Sequence, residues 1–157
     1  MKQKVYIETT IISYLAARMS TNTIMAGRQV LTQDWWEQYS NLFDMVVSEL
    51  VFQEAKEGDP VAAQKRIDYI SEIDSLTISD DAVHLAESLV KAGAIPEHYG
   101  EDALHIAVCA VNGIDFLLTW NCKHLANAFL RHKIMETVED EGYQCPVICT
   151  PAELMEE

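Results

Sequence analysis

The sequence DALHIAVCAVNGIDFLLT, residues 102–119, contains the two kinds of element from which an α/β fold is built. Residues 103–111 are apolar apart from His105, which is typical of a helix that is buried on most of its surface. Gly113 ends this helix, and residues 115–119 then form a short apolar segment typical of a buried strand. A buried helix that leads into a buried strand indicates a parallel sheet covered by helices.

The rest of the chain repeats this alternation of strand and helix. Alternating elements of this kind form a mostly parallel sheet with helices on both faces. We therefore predict an α/β fold, a three-layer sandwich in which a short, mostly parallel sheet lies between helices. A length of 157 residues fits a single domain over 1–157. The other predicted strands are 4–7, 43–47, 76–78 and 147–149, and the longest predicted helix is 24–43.

The net charge of the chain is −14, from 11 basic and 25 acidic side chains. Proteins that bind nucleic acids usually carry a basic patch, whereas the basic residues here are scattered along the sequence. Charge alone therefore favours an ordinary acidic surface. A nucleic-acid role requires that metal ions supply positive charge locally, or that a basic partner is present.

The four cysteines and the N-terminal segment indicate the cellular compartment. The sequence has no Cys-x-x-Cys pair, which argues against a zinc ribbon, and free thiols are typical of the reducing cytoplasm. Residues 1–7 do not fit a signal peptide, because acidic Glu8 follows only a few apolar residues. No apolar run reaches the ~18 residues of a membrane span. We expect a cytoplasmic protein that does not enter a membrane.

Three acidic residues, Glu8, Glu54 and Asp102, are predicted at strand-to-helix junctions. The carboxyl ends of parallel strands share one edge of the sheet, and ligands bind there. Carboxylates gathered at this edge repel each other unless a cation is bound, and their hard oxygens suit Mg²⁺ or Mn²⁺. Each residue alone is also explained as a surface or helix-capping carboxylate.

The histidines suggest a second kind of metal site. His98, Asp102 and His105 are spaced four and three residues apart, so one continuous helix would place them on the same face. Such a set would suit a transition metal. Pro96 and Gly100 argue against so long a helix, and we expect His105 to pack beside the cleft instead.

The segment TWNCKH, residues 119–124, follows the predicted fourth strand and directs polar side chains to the same sheet edge. It is also explained as an ordinary loop with a turn-forming asparagine. Cys122 near His124 is similar to a nucleophile pair, but no third group is evident.

Taken together, these segments resemble the PIN-domain family of metal-dependent ribonucleases, which includes toxins of bacterial toxin–antitoxin pairs. The resemblance runs from residue 4 to about residue 127 and rests on the order and spacing of its blocks. The matching residues are Tyr6-Ile7-Glu8-Thr9, then Ser48, Glu54 and Gly58, then DALHIA at 102–107, then Gly113, Leu117-Leu118-Thr119 and Asn121. The resemblance implies a PIN-like fold and hydrolysis of RNA phosphodiester bonds.

The resemblance also implies roles for individual residues. Glu8, Glu54 and Asp102 would be the ligands of Mg²⁺ or Mn²⁺, and Asn121 a further catalytic residue that orients a water molecule or a phosphate. The residues implied to contact the RNA substrate are Thr9, Lys123 and His124.

Two departures from the family pattern bear on activity. Glu8 stands where the family has Asp, which is one methylene shorter, and His124 stands where an acid is frequent. The second departure removes a fourth carboxylate and with it support for a second metal ion. The alternative function is therefore a PIN-like binding or regulatory module with weakened catalysis, and a third is a metal-dependent phosphohydrolase that acts on a small molecule.

The partners expected from this resemblance are RNA, a second copy of the chain and a small basic antitoxin. Trp35-Trp36 and the apolar positions of helix 24–43 exceed what a small sheet must cover, which also favours a homodimer. Stacking on a nucleobase is the alternative role of the tryptophan pair.

Overall fold

The computed structural model describes residues 1–156 and contains one five-stranded sheet. All four strand pairings are parallel, and the strand order is β3-β2-β1-β4-β5. This arrangement confirms the predicted α/β fold class. The strands are β1 Gln3–Ile7, β2 Phe43–Ser48, β3 Asp74–Leu76, β4 Phe116–Leu118 and β5 Val147–Cys149.

Within residues 1–156, seven α-helices connect the strands and form two groups. α1 packs on α2, α3 and α4, whereas α5 packs on α6 and α7. No helix within residues 1–156 is long and apolar enough to cross a membrane. The helices are α1 Thr9–Ala16, α2 Thr23–Gln38, α3 Glu49–Ala55, α4 Pro60–Ile70, α5 Asp80–Lys91, α6 Gly100–Val111 and α7 Ala128–Asp140.

The central strand β1 shows why the sheet is covered on both faces. Val5, Tyr6 and Ile7 are consecutive, and each is fully buried. Because successive side chains of a strand point to opposite faces, such a run requires a helical layer on each side. The core helix α6 supplies buried residues from Ala103 to Ala110, as its apolar sequence predicts.

Two element boundaries differ from the prediction. The predicted strand 76–78 is wrong by two residues, since β3 is Asp74–Leu76 and pairs Val46 of β2 with Asp74. This edge strand is mostly exposed, so backbone pairing rather than apolar side chains determines its register. The predicted helix 24–43 is also too long, because a 3₁₀ turn at Ser40–Leu42 separates α2 from β2.

Two expectations about the predicted metal sites also differ from the structure. Asp102 lies in the first turn of α6, which follows α5 through a 3₁₀ turn at Glu97–Tyr99 and not a strand. His98 belongs to that turn and is exposed, so His98, Asp102 and His105 do not share one continuous helix.

Candidate metal centre

Glu8 lies at the centre of the sheet edge, directly after β1 and before α1. Its side chain is only 4% exposed. One oxygen, Oε1, accepts hydrogen bonds from the hydroxyls of Thr10 at 2.5 Å and Thr119 at 2.6 Å. Neither hydroxyl donates to the second oxygen, Oε2, which is therefore available to a further ligand.

Burial has an electrostatic consequence for Glu8. Removal from water raises the pKa of its carboxyl, although the positive charge of His105 and the two threonine hydroxyls act in the opposite direction. The carboxylate is thus held in a place where a nearby cation would stabilise it.

Glu54 reaches the same edge from α3 and is fixed by two donors. Its Oε1 accepts from Thr9 Oγ1 at 2.5 Å and from His105 Nε2 at 2.8 Å. The other ring nitrogen of His105, Nδ1, lies 2.6 Å from the hydroxyl of Tyr6, which in turn lies 2.8 Å from Ser48 Oγ. Because a carboxylate can only accept, Nε2 of His105 carries the proton in this pair.

The Glu54–His105 pair shifts the pKa values of both partners. Burial acts to raise the pKa of Glu54, but the hydrogen bond and charge of His105 outweigh it and lower that pKa. Burial acts to lower the pKa of His105, but Glu54, Glu8 and Asp102 outweigh it and raise that pKa. Glu101 is exposed and interacts with Glu54 of this pair. Its hydrogen bond with Glu54 raises the pKa of Glu101.

Three of these side chains lie close together at the sheet edge. Ligand atoms of Glu8, Glu54 and His105 all lie within 4.8 Å of one another. The donor set fits a divalent cation, because two carboxylates supply hard oxygens and one of them is buried with an oxygen to spare. His105 was expected only to pack beside the cleft. The sequence feature that points to a role for His105 in the site is its position three residues after Asp102 on the same helix.

Asp102 is not one of these three residues and has a different hydrogen-bond partner. Its Oδ2 lies 3.0 Å from Nδ1 of His124, which is only 5% exposed. The Tyr99 ring covers His124 with the ring centroids 3.9 Å apart. The structure therefore brings Glu8 and Glu54 together and places Asp102 beside them in contact with His124.

The segment 119–124 connects these groups through its backbone. The N–H of Trp120 donates to Thr10 Oγ1 at 2.8 Å, and the N–H of Asn121 donates to Thr119 Oγ1 at 2.9 Å. Asn121 Oδ1 accepts from the N–H of His124 at 3.2 Å, which confirms a turn-forming role for this asparagine. Lys123 is exposed.

The pKa shifts predict opposite effects of two conservative substitutions on the metal-free protein. Glu8→Gln should raise the melting temperature at pH 7 by roughly 2–4 °C, because it removes a buried charge whose pKa is raised. That benefit should vanish below the usual glutamate pKa of 4.5, where the parent carboxyl is protonated in both states.

Glu54→Gln should instead lower the melting temperature at pH 7, because a lowered pKa stabilises the folded state above pH 4.5. Simple repulsion between carboxylates would predict stabilisation by both changes. Thermal melts in chelator between pH 4 and 8 distinguish the two accounts. Equal shifts for Glu8→Gln and Glu54→Gln would contradict the role of His105 as a charge partner.

Comparison with known proteins supports the fold. No family model matches the chain, and no curated protein sequence matches it. Among solved structures, the chain is similar to one in the crystal structure of VapBC2 from Rickettsia felis bound to a DNA fragment from their promoter, with a TM-score of 0.61. The match covers 94% of this chain and 98% of that chain at 12% sequence identity, so it shows a shared fold alone.

Proposed function

We propose that this chain is a single PIN-like domain that acts as a metal-dependent endoribonuclease and hydrolyses RNA phosphodiester bonds. The observation that carries the proposal is the convergence of Glu8 and Glu54, with His105, at the carboxyl edge of a parallel sheet. This edge is where ligands bind in open α/β sheets. The VapBC2 likeness supports the fold on which the proposal depends.

Glu8, Glu54 and Asp102 are the proposed holders of Mg²⁺ or Mn²⁺, directly or through water. A bound ion of this kind would polarise the phosphate and promote formation of the attacking hydroxide. His105 fixes the orientation of Glu54 through its Nε2 proton, and His124 fixes Asp102. Such supporting contacts typically change metal affinity or activity by about 10- to 100-fold when removed.

Substrate contacts are proposed for the polar residues around the acids. Asn121 lies next to Thr119, a hydrogen-bond partner of Glu8, and orients a water molecule or a phosphate. Thr9 donates to Glu54, and we propose that it also contacts the scissile phosphate. Lys123 is exposed for contact with the RNA backbone, whereas His124 has only its Nε2 edge left for such a contact.

The proposed partners follow from charge and exposed surface. A net charge of −14 is complementary to a small basic antitoxin, which would make this chain the toxin of a cytoplasmic toxin–antitoxin pair. A homodimer is proposed through exposed apolar residues of α2. Ile24 and Val30 are 69% and 48% exposed.

A weakened binding or regulatory module is the second candidate. It is favoured by Glu8 in place of the usual aspartate and by the two histidines that already contact Glu54 and Asp102. The third candidate is a phosphohydrolase that acts on a small molecule. Measuring hydrolysis of both RNA and small phosphorylated compounds would distinguish it from the other two.

Cleavage of single-stranded RNA tests the proposal. Cutting should require Mg²⁺ or Mn²⁺ and should stop in chelator, because no protein nucleophile is involved. Glu8→Asp should keep or raise the rate, since it restores the acid that is usual in the family, whereas Glu8→Gln should abolish it. Identical cleavage by all three proteins would show contamination or a site elsewhere. Bound metal without cleavage of any RNA would favour the regulatory module.

A further inference from the structure

Tyr6 is a buried polar residue beside the candidate metal centre. It lies on β1, two residues before Glu8, and its hydroxyl contacts two polar groups. Ser48 Oγ, at the end of β2, lies 2.8 Å from this hydroxyl, and His105 Nδ1, on α6, lies 2.6 Å from it. Tyr6, Ser48 and His105 are all fully buried. Because a buried polar group is costly unless it is hydrogen-bonded, each of the three depends on the others.

The hydrogen bonds continue from His105 to Glu54, whose Oε1 lies 2.8 Å from Nε2. With the Nε2 proton directed at Glu54, a neutral ring has Nδ1 as an acceptor. Tyr6 then donates its hydroxyl proton to Nδ1 and accepts from Ser48. When Nδ1 also carries a proton, both hydroxyls reverse their roles, since each can donate or accept. The same chain of groups therefore satisfies Nδ1 in both states of the ring.

Two polar partners fix the direction in which the imidazole of His105 faces. The ring meets that of Tyr6 edge-on, with ring centres 5.6 Å apart and 64° between the planes. A half-turn of the imidazole would direct carbon atoms at the Tyr6 hydroxyl and at Glu54. Solvent cannot replace the two lost hydrogen bonds, because His105 is fully buried. Tyr6 thus favours the one orientation in which His105 donates to Glu54.

We propose that Tyr6 is a positioning residue of the metal centre and acts on Glu54 through His105. Its hydroxyl holds the imidazole, and the imidazole holds the carboxylate at the angle that suits a divalent cation. The proposal rests on the metal-dependent function proposed above, because it requires Glu54 to hold the cation. Loss of the hydroxyl should leave the proposed ligands in place but orient Glu54 less well.

Mn²⁺ binding to the full chain tests this role without any RNA. The concentration of free Mn²⁺ is read by electron paramagnetic resonance during a titration. Tyr6→Phe should weaken binding by about 2- to 10-fold, on the scale of one hydrogen bond. The matched control is Tyr39→Phe, which removes the same atom where the hydroxyl donates to the carbonyl of Glu156 at 2.9 Å. The control should bind Mn²⁺ as the parent does, and circular dichroism verifies that both variants fold.

His105→Gln separates positioning from a general loosening of the core. A glutamine amide can donate to Glu54 in place of Nε2, but it has no nitrogen at the position of Nδ1. Adding Tyr6→Phe to His105→Gln should therefore leave the Mn²⁺ affinity unchanged. In this double-mutant cycle the coupling between the two positions equals the whole effect of Tyr6→Phe.

The ring nitrogens of His105 provide a second measurement on the metal-free protein. With ¹⁵N in the ring, nuclear magnetic resonance should show an Nε2–H proton that is protected from solvent exchange and a hydrogen-bonded Nδ1. The Nε2–H proton should exchange several-fold faster in Tyr6→Phe and at an unchanged rate in Tyr39→Phe. An Nδ1 without a hydrogen bond in the parent would overturn the proposal even if Tyr6→Phe does not fold.

The outcomes separate this proposal from the ribonuclease function. Equal Mn²⁺ affinity of Tyr6→Phe and the parent would overturn it, even if the parent cleaves RNA. The same loss of affinity in the His105→Gln background would also overturn it, because Tyr6 would then act by another route. A parent that binds no Mn²⁺ would overturn it together with the metal centre. The expected Tyr6 effects in a protein that cleaves no RNA would support the positioning role and contradict the ribonuclease function.

Discussion

Replacing Glu54 with glutamine is expected to reduce RNA cleavage by about a thousandfold, on the scale of losing one preorganised electrostatic group in an active site. Glutamine keeps the size of the side chain but removes the charge that a hard cation requires. It also removes the acceptor charge that holds the proton of His105 Nε2 at 2.8 Å. Both losses affect the point where Glu8, Glu54 and His105 converge.

The matched control for this prediction is Glu49→Gln. Glu49 begins the same helix α3 and is exposed, so the same chemical change there should alter neither the fold nor the rate. Single-turnover rates in Mg²⁺ and in Mn²⁺ would be measured for both variants, with circular dichroism to verify folding. A Glu54→Gln protein that is folded and cleaves within tenfold of the parent would exclude Glu54 as a metal ligand.

Trp35→Ala is expected to destabilise the protein by about 3–5 kcal/mol, the usual cost of deleting a buried tryptophan. Trp35 is fully buried and stacks on Phe43 with ring centres 5.9 Å apart. Its indole N–H donates to the carbonyl of Leu154 at 3.1 Å, so the ring also fastens the C-terminal turn to α2. The structure thus makes Trp35 a core residue and leaves no free face for a nucleobase.

Trp36→Ala provides the comparison, since the same atoms are removed one position along the helix. Trp36 is partly exposed and packs edge-on against Tyr69 with ring centres 5.9 Å apart. Its loss should cost clearly less than the loss of Trp35. Urea unfolding followed by circular dichroism measures both free energies of unfolding. Similar costs for the two variants would contradict the burial of Trp35 and the partial exposure of Trp36 on α2.

The alternation of strands and helices could be predicted from the sequence because burial leaves a strong pattern. The buried part of a central parallel strand is continuously apolar, as in residues 5–7 of β1, and the core helix α6 is apolar along most of its length. Edge strand β3 lacks this pattern, since backbone hydrogen bonds to β2 hold it and its side chains remain exposed. Its position was therefore missed by two residues.

The proximity of Glu8 and Glu54 could be predicted from the sequence, because Glu8 directly follows a strand, Glu54 lies on the helix that follows another, and parallel strands end at a common edge. It could not determine the partners of these acids. His105 reaches Glu54 across 51 residues of sequence, and His124 reaches Asp102 across 22. Contacts of this kind depend on how α6 and the segment 119–124 pack beside the sheet. These side chains come within hydrogen-bonding distance only in the folded chain, because the paired residues are far apart in sequence and lie on different elements.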